Sequence, residues 1–145
     1  MYVIIVGGGG IGKTLATHLV SEGHEVVIVE KDSERAKYLA EHLDCIIIHG
    51  DGSITEVLKD AGADRADSAV VLTNDDNINL TICQILKKFS VEKIVARVND
   101  PAKKDLYIDL ELTASISLVS AAVSQFKNTL TQESGRCMQS IAGGN

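Results

Sequence analysis

The chain has 145 residues, of which 45% are hydrophobic and 3% aromatic, and its formal net charge is −6. This length suits one soluble domain with one core, and the negative charge argues against nucleic acid as a partner. No apolar run approaches the ~20 residues that span a bilayer, and no basic leader precedes the first apolar run, so neither a transmembrane helix nor a signal peptide is predicted.

The first apolar run, residues 2–6, leads into a glycine-rich segment that fits two phosphate-binding patterns. The dinucleotide-binding pattern G-x-G-x-x-G falls on Gly7, Gly9 and Gly12. The P-loop pattern G-x-x-x-x-G-K-[ST] falls on Gly7, Gly12, Lys13 and Thr14. In both patterns, glycine lets backbone N–H groups approach phosphate at the positive end of the following helix.

The residues after the glycines favour the dinucleotide pattern. A helical pattern at 11–22 leads to a second apolar run at 25–29, which ends in Glu30. Glu30 follows Gly12 by 18 positions (30 − 12), close to the roughly 20 expected for the acid that binds the adenosine ribose. A P-loop enzyme needs an apolar strand that ends in a magnesium-binding Asp. The candidates, Asp51 and Asp75, follow their apolar runs by two or more residues, which weakens that alternative.

Strand and helix patterns alternate along the rest of the chain. Strands are predicted at 2–6, 25–29, 45–48, 69–72, 94–98 and, more weakly, 112–118. Helices are predicted at 11–22, 33–43, 53–61, 76–89, 102–111 and from 118 to about 130. The pattern predicts an α/β fold with a doubly wound, mostly parallel six-stranded Rossmann-type sheet.

Local signals refine these boundaries. The segment 53–56, Ser-Ile-Thr-Glu, reads as a capping box, Gly62 as a helix stop, and Pro101 as a helix start. Residues 1–130 are predicted to form the domain, and residues 131–145 a polar, mobile C-terminal tail.

The cysteines indicate neither a metal site nor a nucleophile. Cys45 and Cys83 lie in apolar runs and are expected to be buried small hydrophobes, and Cys137 shares no metal-like spacing with them. An odd cysteine count without a disulfide framework fits a reducing cytoplasm.

Polar residues follow the predicted strands and would meet at one edge of the sheet, where ligands bind in such folds. They include Glu30 and Lys31 after the second strand, Asp51 and Gly52 after the third, Thr73 and Asn74 after the fourth, and Arg97 at the end of the fifth. Turns are polar in any protein, so a capping role remains an alternative for each of them. For Arg97 the alternative is a surface ion pair.

Taken in order, several segments resemble one known family: residues 27–32, 50–53, 58–67, 69–79 and 94–98. Together with the glycine loop, they identify residues 1 to about 130 as similar to the N-terminal nucleotide-binding domain of the TrkA/KtrA family, the RCK or KTN domain. Members are cytoplasmic, non-enzymatic regulators of membrane potassium transporters and channels. The resemblance implies a homodimer or larger ring at the inner face of the membrane, docked on a potassium transport subunit.

The resemblance also implies the ligand and its site. NAD(H) is the expected nucleotide, with ATP or ADP as alternatives. The implied cofactor-binding residues are Gly7, Gly9, Gly10, Ile11, Gly12, Glu30, Lys31, Asp51, Gly52, Thr73, Asn74 and Arg97. Glu30 would bind the adenosine ribose, Asp51 and Gly52 would lie at the adenine, and Arg97 would lie near the second nucleotide half or a dimer partner.

Three departures from the family pattern bear on these expectations. Many members carry Arg at the position of Gly10, so tight triphosphate binding would depend on Lys13. Ser117-Leu118 replaces a frequent Pro-Glu, so a cation site built on that Glu does not follow from the resemblance, and no metal-binding residue is assigned. The second, ligand-sensing domain of many members has no counterpart here, which fits either a single-domain member or part of a longer protein.

Two enzyme classes remain as alternatives. A small NAD-dependent oxidoreductase would need a substrate pocket and a proton-transfer group, and His49 is the one histidine expected at the ligand edge. A P-loop NTPase would need Lys13. Two predicted helices, at 78–89 and from 118 to 126, carry more apolar residues than one sheet face requires, which indicates assembly.

Overall fold

The structure, a computed structural model, describes residues 1–132. The strands are β1 (Tyr2–Val6), β2 (Glu25–Glu30), β3 (Ile46–His49), β4 (Ser68–Val71), β5 (Lys93–Val98) and β6 (Ala114–Ser117). The helices are α1 (Gly10–Ser21), α2 (Ser33–His42), α3 (Thr55–Asp60), α4 (Asp76–Lys88), α5 (Lys104–Ile108), which a 3-10 turn (Pro101–Lys103) precedes, and α6 (Leu118–Thr131).

The six strands form one sheet in the order β3-β2-β1-β4-β5-β6, and every pairing is parallel. The predicted doubly wound Rossmann-type fold is confirmed. The chain moves outward from β1 to β3, returns to the other side of β1 at β4, and continues outward to β6. The strand order therefore reverses between β1 and β4, where such folds hold their ligands.

The apolar runs become strands because both faces of the sheet are covered. Along β1, Val3 and Ile5 pack into one core cluster, while Ile4 and Val6 pack into the other. A strand that is buried on both faces needs a continuous apolar sequence rather than alternation. The run at residues 2–6 met that requirement, which explains why it could be recognised.

Of the predicted helix boundaries, those at Gly62 and Pro101 agree with the structure and the one at residues 53–56 does not. Gly62 has a φ of 91° and follows the end of α3, and Pro101 opens the 3-10 turn, as predicted. The prediction of a capping box at residues 53–56 is wrong. The residue that caps α3 is Ile54, which makes no side-chain cap, and the backbone N–H and hydroxyl of Ser53 both donate to Asp51 Oδ1, at 2.9 and 2.7 Å. Ser53 is thus used by the preceding turn rather than by the helix.

The two helices expected to carry surplus apolar surface differ. In α4 the apolar side chains are buried or half-buried against the domain's own core, so the expectation of spare surface on that helix is wrong. By contrast, α6 has no buried residue. Most of the predicted tail, residues 133–145, lies outside the described residues.

Of the cysteines, Cys83 is buried, and burial raises the pKa of its thiol to about 12. Cys45 is half-buried, and burial also raises its pKa. Cys137 lies outside the described residues.

Candidate functional site: a cleft at the strand reversal

A cleft of about 490 Å³ opens at the carboxyl edge of the sheet, where β1 and β4 part. Its walls come from the loops that follow β1 to β4 and from the end of β5. The lining residues are Val6, Gly7, Gly8, Gly9, Val29, Glu30, Lys31, Gly50, Asp51, Gly52, Leu72, Thr73, Asn74, Asp75, Ile78, Ile82 and Arg97. The volume is within the range of small-molecule sites.

The glycine loop turns tightly from β1 into α1. Gly7 has a φ of 105°, which L side chains rarely adopt, and a side chain there would also press on the backbone of Leu72 at 3.1 Å. A Cβ on Gly12 would collide with the carbonyl oxygen of Gly7. These two glycines are therefore required by the fold itself.

Gly9 and Gly10 are different, because a Cβ on either would meet nothing within 4 Å. Gly9 lines the cleft and is the N-cap of α1, with no side chain satisfying the first N–H groups of that helix. Free N–H groups at a helix start, beside open space, form an anion-binding arrangement. The protein's own packing gives no reason for glycine at these positions, whereas a ligand phosphate would.

Two charged side chains hold the backbone of Gly8. Its N–H donates to Glu30 Oε1 at 2.6 Å, and its carbonyl accepts from Arg35 Nε at 2.5 Å. The second carboxylate oxygen of Glu30 accepts from the N–H of Asp32 at 2.9 Å. The acid at the end of β2 and the glycine loop are thus one rigid unit.

Asp51 forms the wall next to Glu30. Hydrogen bonds from the hydroxyl and N–H of Ser53, aided by the charge of Lys31, outweigh desolvation and lower the pKa of its carboxyl group. Lys31 Nζ lies 3.9 Å from Asp51 Oδ2, and the lysine side chain is 70% exposed and the aspartate side chain 30%. Such exposed pairs add little stability. The contacts with Ser53 and Lys31 instead hold the Asp51 carboxylate in place at the cleft, which it lines.

The far wall is built by buried amides. Asn79 is fully buried and donates to the carbonyls of Thr73 and Arg97, at 3.0 and 3.1 Å, while its own carbonyl oxygen accepts from the Thr73 hydroxyl. Asn99 also donates to the Thr73 carbonyl, at 3.0 Å. Arg97 lines the cleft, and its Nε is buried with no hydrogen-bond partner. A buried donor without a partner is costly, so this end of the cleft suits an acceptor oxygen.

A buried carboxylate, that of Asp76, fixes the far wall from behind. It accepts from the N–H groups of Asn99 and Asp100, at 2.8 and 2.9 Å, and from the hydroxyl of Tyr107, at 2.6 Å. Burial alone would raise the pKa of Asp76, but these hydrogen bonds outweigh it and the pKa is lowered. Burial, reinforced by the bond to Asp76, raises the pKa of Tyr107. Asp76 is therefore ionised at neutral pH and ties the start of α4 to the loop after β5.

Lys13, on which a P-loop site depends, does not line the cleft. Lys13 Nζ donates to the hydroxyl of Tyr38 at 2.7 Å and lies over its ring at 4.7 Å from the centroid, away from the cleft lining. This contact lowers the pKa of Tyr38. Asp75, a candidate magnesium ligand, caps α4 by accepting from the N–H of Ile78 at 3.1 Å. The arrangement does not match a P-loop.

The cleft lining contains the carboxylates of Glu30, Asp51 and Asp75 but not the histidine expected at the ligand edge. His49 lies outside the lining, with Nε2 at 3.1 Å from the carbonyl oxygen of Lys31. Within residues 1–132, no three His, Cys, Asp or Glu side chains are grouped as metal ligands. In the same range, no helix has the length and apolar character of a membrane span.

Most of the predicted site residues come together in the cleft. The exceptions are Gly10, Ile11 and Gly12, which are absent from its lining. Gly12 packs against the first strand instead, and the Ile11 side chain is exposed.

Sequence reasoning missed Gly8, which could carry no side chain beside Leu39 and Glu30. It also missed the supporting side chains Arg35, Asn79 and Asp76. Each of them has a polar partner 18 to 31 positions away, and no local sequence pattern marks such contacts.

The sequence profile of the TrkA-N domain matches residues 3–118. A Trk system potassium uptake protein TrkA homolog from Methanothermobacter thermautotrophicus is 33% identical over 132 residues, or 91% of this chain and 61% of that protein. A homolog from Pyrococcus abyssi is 39% identical over 113 residues, or 77% of this chain and 49% of that protein. The chain thus spans about half to three fifths of the length of these relatives.

Solved structures share the fold. The TrkA-N domain of the inner membrane protein ybaL from Escherichia coli superposes with a TM-score of 0.80 at 16% identity, covering 90% of this chain and 96% of that one. The GsuK channel bound to NAD superposes with a TM-score of 0.76 at 21% identity, over 86% of this chain and 22% of the channel chain. GsuK bound to ADP superposes with a TM-score of 0.73 at 23% identity, over 81% of this chain and 31% of the GsuK chain. At these identities the likeness supports the fold alone.

Proposed function

The chain belongs to the TrkA-N domain family, and from that premise we propose that it is a non-enzymatic, nucleotide-binding regulatory domain that controls a membrane potassium transporter or channel. This proposal rests on one observation: the same cleft is lined by Gly9, where the free N–H groups of α1 begin, and by the carboxylate of Glu30. That pairing suits a nucleotide, because phosphates need N–H donors and ribose hydroxyls need a carboxylate acceptor.

The ligand would lie across the strand reversal. NAD(H) is the favoured nucleotide and ADP or ATP the alternative, in line with the two ligands named for GsuK. The adenosine would lie between Glu30 and Asp51, and the phosphates over Gly7 and Gly9. The second half of a dinucleotide would reach the far wall, where the partnerless Nε of Arg97 provides a donor.

Regulation by binding requires that the nucleotide prefer one arrangement of the protein over another, since a ligand shifts an equilibrium only by its differential affinity. The proposed assembly is a homodimer or larger ring that docks on a membrane potassium transport subunit from the cytoplasmic side. The names of the TrkA relatives support the potassium partner.

Calorimetry with NADH, NAD, ADP and ATP tests the nucleotide, and parallel assays of NADH oxidation and ATP hydrolysis test for turnover. We expect saturable binding of at least one nucleotide without turnover. Turnover of NADH with a small substrate would favour the oxidoreductase alternative, and ATP hydrolysis lost in Lys13→Ala would favour the P-loop alternative. Identifying the nucleotide that co-purifies with the protein would show which ligand it holds in the cell.

A further inference from the structure

Helix α5 is attached to the domain mainly through one side chain. Tyr107 is fully buried, and no other residue between Pro101 and Thr113 is buried. Its neighbours Leu106 and Ile108 are 49% and 58% exposed. The hydroxyl of Tyr107 donates to Asp76 at 2.6 Å. The docking of α5 therefore depends on the tyrosine and on the carboxylate that accepts its hydrogen bond.

That same carboxylate supports the wall of the nucleotide cleft. Asp76 accepts the backbone N–H of Asn99, and the side chain of Asn99 donates to the carbonyl of Thr73, which lines the cleft. A continuous series of hydrogen bonds thus joins Thr73, Asn99, Asp76 and Tyr107. Each link is made by a group that is buried or partly buried, where water competes poorly for the bond.

The two ends of this series differ in stability. Thr73 is held by two amides beside the core, whereas α5 has five residues and one buried anchor. Short elements with few buried contacts open at low free-energy cost. A shift at the far wall would therefore have its largest effect on the docking of α5.

We propose that Asp76 and Tyr107 are positioning residues that couple occupancy of the nucleotide cleft to the docking of α5. The inference rests on the proposed nucleotide function and deepens it, because it names the element whose state the ligand changes. A ligand that fixes Thr73 and Arg97 stabilises the arrangement in which Asp76 holds Tyr107. Without the ligand, α5 undocks more often. The exposed apolar side chains of Leu106 and Ile108 then change their position relative to the rest of the domain.

Hydrogen–deuterium exchange of the whole chain, with and without saturating NADH, tests the coupling. In the wild-type protein we expect NADH to slow exchange of the α5 amides by at least about fivefold. In Tyr107→Phe the ring still fills its site but the hydroxyl is gone. We expect α5 in this variant to exchange rapidly whether or not NADH is present, and NADH to bind about fivefold more weakly than to the wild type, because the coupling is reciprocal.

The matched control is Tyr2→Phe. Tyr2 also donates from its hydroxyl at 2.6 Å, to the carbonyl of Ala61 in the loop after α3. This variant loses an equivalent bond far from the series and should keep the NADH-dependent slowing of α5. Loss of slowing in both tyrosine variants would indicate a general loss of stability and would contradict the specific coupling.

A second variant tests the other end of the series without altering α5. Asn99→Ala removes the amide that reaches Thr73, and in the nucleotide-free protein it should speed exchange of α5 by about threefold or more. Unchanged α5 exchange in Asn99→Ala, no slowing by NADH in the wild type, or full slowing in Tyr107→Phe would each overturn the inference. Failure of the wild type to bind any nucleotide would instead overturn the proposed function, and the Asn99→Ala measurement would still test the hydrogen-bonded connection.

Discussion

Glu30 already has both carboxylate oxygens engaged by backbone N–H groups, those of Gly8 and Asp32. Each oxygen keeps further acceptor capacity, and Glu30 lines the cleft. A carboxylate held in this way accepts the two ribose hydroxyls of adenosine and repels a 2′-phosphate. We expect NADPH to bind at least about tenfold more weakly than NADH, roughly 1.4 kcal/mol.

The change Glu30→Gln should weaken NADH binding and narrow the difference between NADH and NADPH, because it removes the negative charge. The exposed Glu25→Gln, at the other end of β2, provides a charge-matched control and should bind both as the wild type does. Calorimetric titrations of the wild type and both variants with NADH and NADPH measure these affinities. Equal binding of NADPH and NADH by the wild-type protein would refute the role given to Glu30.

Within the glycine loop, some glycines are required by the fold, whereas Gly9 is expected to be required only by the ligand. Gly9 has a φ of −67° and open space around it, so Gly9→Val should fold normally and lose nucleotide binding, because the side chain occupies the phosphate position. Lys13→Ala should bind nucleotide with only a modest loss, since Lys13 contacts Tyr38 instead of the cleft. Thermal melts and calorimetry on both variants check this, and loss of binding in Lys13→Ala alone would restore the P-loop alternative.

At the scale of elements, the junction of α4, the loop after β5 and α5 is held by one ionised carboxylate. The pKa of Asp76 is lowered in the folded protein, so the folded state binds that proton less tightly than the unfolded chain, whose Asp groups titrate near ~3.9. The stability that Asp76 contributes is therefore present above about pH 3.9 and is lost as the pH falls through the folded pKa.

We expect Asp76→Asn to destabilise the protein by about 2–4 kcal/mol at pH 7, because an amide cannot accept all three hydrogen bonds. The difference from the wild type should stay constant down to about pH 4 and shrink as the pH falls further, through the folded pKa of Asp76. Urea unfolding followed by circular dichroism at each pH gives both free energies. A difference that stays constant with pH would mean that the charge of Asp76 does not contribute.

The sequence predicted elements better than it predicted their connections. The continuous apolar run of β1 and the glycines after it have local signatures, so the strand, the loop and the cleft edge could be foreseen. Ser53 was assigned to a helix cap because the pattern is local, yet Asp51, two residues earlier, competes for the same hydroxyl. The support given by Asn79 and Asp76 depends on contacts between distant segments, which single-sequence patterns do not contain.

At the scale of the whole molecule, α6 is the helix with the most uncovered apolar surface. Val119, Val123, Phe126 and Leu130 are 57 to 83% exposed, and their spacing of four, three and four residues places them on one face. A helix with such a face is usually covered by another element. We therefore expect the chain to be at least a dimer at micromolar concentration.

The change Phe126→Glu should lower the assembly state and spare nucleotide binding, because α6 contributes nothing to the cleft lining. Ser124→Glu is the matched control, since residue 124 lies about 200° round the helix from residue 126. Light scattering measures the mass of each variant. A 15.5 kDa monomer for the wild type, with and without nucleotide, would show that these residues alone do not assemble.

The central place of β1 in the sheet has a consequence for how the protein reaches its native state. Strand β1 pairs with β2, which follows it closely in the chain, but its other neighbour, β4, begins at Ser68, opposite Val3. Closing a loop of that length is slow compared with forming local contacts. Until β4 arrives, one whole wall of the cleft is missing. We expect NADH fluorescence in a refolding experiment to change no earlier than the slowest tyrosine-fluorescence phase, so that the nucleotide would recognise only chains that have completed their sheet.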